Sequence, residues 1–206
     1  MKVYHRIVSS YETNCYFLID EQSNQCAVID PGDDADMLIA ALKEGGWDVR
    51  YILLTHGHRD HTFAVPALKA AFPGAKVYIH RLDANGTGFY SYPLSEMIPD
   101  LCAYDDGDTL ALGGLTIEVI ATPGHTEGGV TLRVGDSLFT GDTLFAGSMG
   151  RTDFPGGNTE KMYGSLRRLA ALPGDYRVYP GHMDETTLEN ERSSNIYLKY
   201  AVQHLL

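Results

Sequence analysis

The stretch Thr55-His56-Gly57-His58-Arg59-Asp60-His61 packs three imidazoles and a carboxylate into six residues. It follows an apolar run at 51–55 that reads as a buried strand, so it occupies the loop at that strand's C-terminal end. Side chains two apart in extended chain point the same way, which lets His56 and His58 converge on one point. Asp60 and His61 fall where the chain turns towards a helix, and their side chains can aim at a second point close by. Imidazole and carboxylate donors suit zinc, iron or manganese. A merely solvated loop gives no reason for this density of donors.

Three more candidates share that placement. His125 lies in Thr122-Pro123-Gly124-His125-Thr126, Asp142 in Thr140-Gly141-Asp142-Thr143, and His182 in Tyr179-Pro180-Gly181-His182. Each follows a strand-like segment, ending near Ala121, Thr140 and Tyr179. Each also follows a glycine, which removes a side chain where the backbone must pass close to an ion. Alone, His125 or His182 reads as readily as a satisfied or surface histidine. Beside the first cluster, three polar residues at three strand ends read as metal ligands.

The elements that must position these groups alternate. Strands at 15–20 and 26–30 flank a polar turn at 21–25. A helix at 35–45 carries the apolar stripe Met37, Leu38, Ala41 and Leu42, and Gly45-Gly46 marks its end. The strand at 51–55, a helix at 64–72 with Pro66 in its first turn, and a strand at 77–80 follow. Residues 82–106 lose regular pattern and interleave glycines and prolines with Phe89, Tyr90 and Tyr92. This segment is a candidate pocket lip or lid, or equally a surface loop pinned by its own aromatics. Strands resume at 109–112, 115–121, 129–134 and 137–140. A helix at 159–172, a strand at 177–179 and a mainly helical tail from 187 complete the chain. Strands with helices in one half, repeated in the other, predict an α/β layered fold with helices outside, in a single domain spanning 1–206.

Composition narrows the function. The 206 residues carry a formal net charge of −11 and show no Lys/Arg run, which argues against a nucleic-acid partner. No apolar run approaches the roughly 18–20 residues of a membrane span, and the N-terminus lacks signal-peptide character. Cys15, Cys26 and Cys102 are odd in number and widely spaced, without a C-x-x-C. They read as small buried apolar residues in a reducing cytoplasm. Neither Cys102 nor Ser148 sits in a motif that would make it a nucleophile.

The motifs T-H-x-H-x-D-H, T-P-G-H-T, G-D-T-L-F and P-G-H, in this order, resemble the metallo-β-lactamase superfamily. Within it the chain resembles the glyoxalase II-like hydrolases, particularly their short single-domain bacterial branch. The resemblance covers nearly the whole chain and implies a four-layer αβ/βα sandwich with a binuclear site at one edge. Carried over position by position, it implies His56, His58 and His125 around a first metal, and Asp60, His61 and His182 around a second. Asp142 then bridges the two, and Asp60 and Asp142 are the carboxylates on which catalysis depends. Two divalent ions are implied, zinc by expectation, with iron or manganese compatible. Asp30 matches the family's aspartate after an early strand, where it would orient a ligand imidazole; otherwise it is a turn residue before Pro31.

Two ions roughly 3.5–4 Å apart acidify a shared water, and the resulting hydroxide attacks a carbonyl polarised by one metal. The resemblance therefore implies a small-molecule thioester substrate, S-lactoylglutathione among them. Gly147–Gly157 also resembles the short branch. The long enzymes use a basic residue at the position of Arg151 to hold glutathione, with a tyrosine two residues on, where this chain has Asp153. Another expected tyrosine is Asp184, and the long enzymes' C-terminal helical domain has no counterpart here. Arg151 is thus either a substrate contact or half of a structural ion pair. Persulfide dioxygenases share the fold and the Gly150–Phe154 stretch but use one iron, which makes them the nearest rival. A lactonase or β-lactamase is the next.

Overall fold

In the computed structural model of the chain, residues 1–86 and 91–204 are described. The elements run β1 (Lys2–Val8), β2 (Thr13–Asp20), β3 (Gln25–Ile29), α1 (Ala35–Gly45), β4 (Asp48–Leu53), α2 (Arg59–Thr62), α3 (Val65–Ala71) and β5 (Lys76–His80). There follow α4 (Leu94–Met97), β6 (Cys102–Tyr104), β7 (Thr109–Leu112), β8 (Leu115–Ala121), β9 (Val130–Val134), β10 (Ser137–Gly141), β11 (Leu144–Phe145) and β12 (Ser148–Met149). The last elements are α5 (Thr159–Ala170), β13 (Arg177–Pro180), β14 (Thr186–Thr187), α6 (Leu188–Ser194) and α7 (Ile196–Gln203).

Two sheets result. The first has the order β1-β2-β3-β4-β5-β6, antiparallel up to β3 and parallel from β3 to β6. The second has the order β14-β13-β10-β9-β8-β7, with only β10 and β13 parallel. Strand β2 is buried at every position because both faces of its sheet are covered. Its alternation still sorts the side chains. Cys15, Phe17 and Ile19 point to a core shared with Leu38 and Leu42 of α1 and Val65 and Leu68 of α3. Tyr16 and Leu18 point the other way, against Ile117, Val119, Leu132 and Phe139 of the second sheet. A third core packs Leu138 and Val178 against Met162, Leu166 and Leu169 of α5 and Leu198 of α7. Three cores between four layers make the αβ/βα sandwich that the family resemblance implies.

Several boundaries differ from the sequence reading. Strand β4 leaves the ladder at Leu53, before 55, because the Thr55 N–H donates to a side chain, Asp30 Oδ1, at 2.7 Å. The helix predicted at 64–72 is α3, preceded by the single turn α2. Within 82–106 the pattern hides α4 and the three-residue β6, whose parallel pairing to β5 is a tertiary event. Phe89 and Tyr90 of that segment lie outside the described residues. Strand β1 was not anticipated: KVYHRIV has no clean alternation, yet it pairs with β2 along its whole length. Cys15 and Cys26 are buried as expected, whereas Cys102 is only half-buried. Among the described residues, no helix is long and apolar enough to cross a membrane.

Candidate metal centre

The sandwich brings the C-terminal ends of β4, β8, β10 and β13 to one edge, and the seven predicted ligands gather there. His56 Nε2 has no hydrogen-bond partner although it is fully buried. His58 Nδ1 and His125 Nε2 are 2.8 Å apart, and a donor nitrogen from each of His56, His58 and His125 lies within 4.8 Å of the others. Donor atoms of Asp60, His61 and His182 form a second group of the same size, with His61 Nε2 3.2 Å from His182 Nε2. Asp142 stands between them. Its Oδ2 is 3.3 Å from His125 Nε2, and its Oδ1 is 3.4 Å from His61 Nε2. Asp142 Oδ1 is also buried without a hydrogen bond. Buried polar atoms normally find partners, so two orphans among converging imidazoles fit a bound cation.

The other ring nitrogens are held from behind. His125 Nδ1 donates to the Arg151 carbonyl at 2.7 Å, and His182 Nδ1 to the Tyr11 carbonyl at 3.2 Å. His61 Nδ1 donates to Asp30 Oδ2 at 3.0 Å. The Thr55 hydroxyl gives its proton to the same Asp30 oxygen at 2.6 Å, so at 3.1 Å from His56 Nδ1 it serves as acceptor. Each of these bonds occupies Nδ1 and leaves Nε2 facing the site. Asp30 can itself be grouped with His56 and His61 as a cation cage. Its two oxygens already accept the Thr55 N–H, the Thr55 hydroxyl and His61 Nδ1, so it has little capacity left to ligate.

Glycine is required at two of the approach points. A Cβ on Gly181 would lie 2.4 Å from Asp142 Oδ1, and one on Gly141, at φ +47°, would lie 2.2 Å from the Thr55 hydroxyl. Gly124 answers to a different constraint: its Cβ would meet the backbone of Met162, so that glycine serves the packing of α5.

The two groups differ electrically. Burial, reinforced by the neighbouring imidazoles, pushes His56 well below the usual histidine range and His58 down to about 4. Burial also opposes charge on His61, but the Asp142, Asp60 and Asp30 carboxylates outweigh it and raise His61 to about 10. His182 is raised likewise, its burial overcome by its bond to Asp60. Burial pushes Asp60 up, yet His61 and His182 together hold it well below the usual carboxylate range.

Arg151 lies on the wall of a cleft of about 700 Å³ that opens onto both groups. Its guanidinium makes two 2.7 Å bonds to Asp153 and sits 3.7 Å from the Phe154 ring centre. That bond holds Asp153 down at about 2. One residue the sequence did not single out is Asp83. Buried beyond the end of β5, it accepts the Gly57 N–H at 2.9 Å, the Thr126 hydroxyl at 2.7 Å and the Gly128 N–H at 2.8 Å. It thereby ties the His56–His58 loop to the His125 loop. No motif surrounds it, and its partners are distant in sequence.

Sandwich and site together define a metal-binding α/β protein with its ligands at the strand ends of one edge. Residues 11–182 match the metallo-beta-lactamase superfamily model, and the chain belongs to that superfamily. It is 34% identical to the hydroxyacylglutathione hydrolase GloC of Haemophilus influenzae over 93% of this chain and 95% of that one. It is also 34% identical to a probable polyketide biosynthesis zinc-dependent hydrolase, BaeB, of Bacillus velezensis, over 97% and 86% of the two chains. Among solved structures it resembles the B3 metallo-beta-lactamase BLEG-1, with a TM-score of 0.82 and 30% identity over 96% of this chain and 99% of that one. ETHE1 from Myxococcus xanthus gives 0.81 and 32% over 95% and 84%. TTHA1623 in a di-iron-bound form gives 0.80 and 33% over 94% and 99%.

Proposed function

We propose that the chain is a binuclear metal-dependent hydrolase of small acyl thioesters, S-lactoylglutathione among them. The observation that carries this is the placement of Asp142 between two converging donor groups at the base of an open cleft. His56, His58 and His125 would hold one ion, and Asp60, His61 and His182 the other, with Asp142 shared. Zinc is the expected metal, and iron or manganese is compatible with the same donors. Bound ions supply Lewis acidity towards a carbonyl oxygen and lower the pKa of a water.

The chain's own residues supply the rest. Asp30, Thr55 and the Arg151 carbonyl keep the free imidazole nitrogens aimed at one edge. Asp60, ionised by its histidine neighbours, is an acceptor at the mouth of the site. No serine or cysteine nucleophile is needed. The hydroxyacylglutathione hydrolase relative supports the thioester reading, and the di-iron structure supports two ions. A one-iron dioxygenase would leave Asp60, His61 and His182, or the histidine trio, without a role. Elemental analysis of protein loaded with zinc, iron or manganese tests this, and we expect close to two ions per chain. One ion under every loading condition would favour the dioxygenase. Turnover of thioesters, lactones, β-lactams and persulfides by the loaded protein then separates the chemistries, with thioesters fastest.

A further inference from the structure

We propose that the cleft selects substrates by an apolar acyl group, with Tyr11, Phe63 and Met183 as the specificity-determining residues. This rests on the thioester reading above and names the substrate class for the same site. Alongside the ligand side chains, the cleft is walled by Tyr11, Phe63, Phe145, Met149, Phe154 and Met183. Three of these leave much of their surface in water: Tyr11 is 71% exposed, Met183 55% and Phe63 37%. Large apolar side chains around a concave site mark where a ligand buries apolar surface.

The wall is also held in place. Met183 sits at φ +68°, a costly conformation for a methionine, and its carbonyl accepts the Asn14 side-chain amide at 2.8 Å. The β11–β12 hairpin that presents Phe145 and Met149 is pinned by Asn195 Nδ2 on the Ser148 carbonyl at 2.9 Å. The Gly147 N–H on Glu191 Oε2, at 2.8 Å, pins it again. Phe63 is backed by Tyr92, edge-on with ring centres 5.6 Å apart. Methionine's flexible thioether suits a surface that must adapt to several acyl shapes.

The polar side of the cleft matches poorly with an anionic carrier. Its cationic lining among the described residues is Arg59 and Arg151, beside Asp33 and Asp60. Asp153 already fills the Arg151 fork, and the Arg59 guanidinium lies over the Phe63 ring, 4.5 Å from its centre. Carboxylate recognition needs a positioned fork. Biological thiol carriers are polar, so the apolar part of a thioester is its acyl group.

The test uses the metal-loaded protein and N-acetylcysteamine thioesters of acetate, butyrate, hexanoate and phenylacetate. Each methylene that leaves water should raise kcat/KM about fourfold. If half of the four added methylenes are buried, the hexanoyl ester exceeds the acetyl ester roughly sixteenfold on the same scale. Phe63→Ala and Met183→Ala should each lower hexanoyl turnover more than acetyl turnover. In parallel, calorimetry on acetate, butyrate and hexanoate reads the same preference without any bond being cleaved. Thioester turnover that is flat with chain length overturns this inference and leaves the hydrolase reading standing. If no thioester is cleaved but carboxylate affinity still climbs with length and falls in both variants, the thioester reading fails while the apolar selectivity holds. A steep dependence untouched by Phe63→Ala, Met183→Ala or the matching Tyr11→Ala removes these residues from the assignment.

Discussion

The two donor groups sit side by side, yet they are built on opposite principles. The His56–His58–His125 group is deep and made only of imidazoles, and burial keeps His56 and His58 neutral. The Asp60–His61–His182 group contains a carboxylate, reaches the cleft mouth, and favours a protonated His61. The first group is ready for a cation at neutral pH, whereas the second must exchange a proton for one. A pair of sites that differ in this way should load, and lose, their ions separately.

The largest effect should come from the residue that belongs to both. Asp142→Ala should lower activity at least about tenfold more than Asp30→Ala, which as a loss of ligand orientation should cost about 10–100-fold. Equal losses in the two variants at matched metal content would mean that Asp142 is not shared.

Acid should divide the groups next. In the metal-free chain His61 is raised to about 10 and His182 is raised as well, so at pH 8 and below a metal entering their group releases at least one proton. Affinity there should fall at least about tenfold for each pH unit lost. His58, at about 4, releases nothing above roughly pH 5, so its group should hold its ion further into acid than the other. Equilibrium dialysis from pH 8 to 5 should show the metal content passing through one ion per chain as activity disappears. Loss of both ions in one step, or a rate that stays flat to pH 5, would break the comparison. The sign reverses for the metal-free fold. A raised histidine stabilises it below the unfolded value of about 6.5, and that contribution is lost as pH rises through about 10. The melting temperature of chelated protein should therefore fall as pH rises from about 6.5 to about 10 and level off above that.

Asp83→Ala should sharpen the same contrast from the structural side. It leaves the Gly57 and Gly128 N–H groups unpaired, at a cost of about 2–3 kcal/mol in stability. It should weaken the histidine trio's metal affinity by about 10–100-fold and spare the Asp60 group. Competition with a chromophoric chelator distinguishes the two losses. Uniform weakening of both groups would point to general unfolding in place of a specific tie.

Arg151→Ala should have the smallest effect. Its fork is already taken by Asp153 in an exposed pair, which leaves little of it for a carrier carboxylate. KM for a glutathione thioester should rise only a few-fold (roughly twofold to fivefold), more than for an uncharged thioester, with kcat nearly unchanged. A hundredfold rise would restore Arg151 as a carrier anchor.

Much of this molecule can be read from local pattern. The helix at 35–45 is legible because its apolar stripe and terminal glycines are contiguous in sequence, and the structure returns the same bounds. The candidate donor residues were legible because metal chemistry restricts donors to few residue types, and the structure brings those residues together at strand ends. Local pattern fails where a partner is remote. Strand β1 has no alternation of its own and exists through pairing with β2. Strand β4 stops at Leu53 because an aspartate 25 residues away takes the Thr55 N–H.

What the sequence by itself determined is the inventory: the layers, the donors and their loops. Only the tertiary structure decided how those donors divide. His61 and His58 are the same residue type three positions apart, yet the fold raises one to about 10 and lowers the other to about 4. The difference lies in what the fold sets beside them, carboxylates from β3 and β10 around one and an imidazole from the β8 loop against the other. Arg151 met the same fate, its fork closed by Asp153 before any substrate arrives. Charge state depends on burial and on neighbours within a few ångströms, and those neighbours are assembled from segments that sequence spacing does not relate.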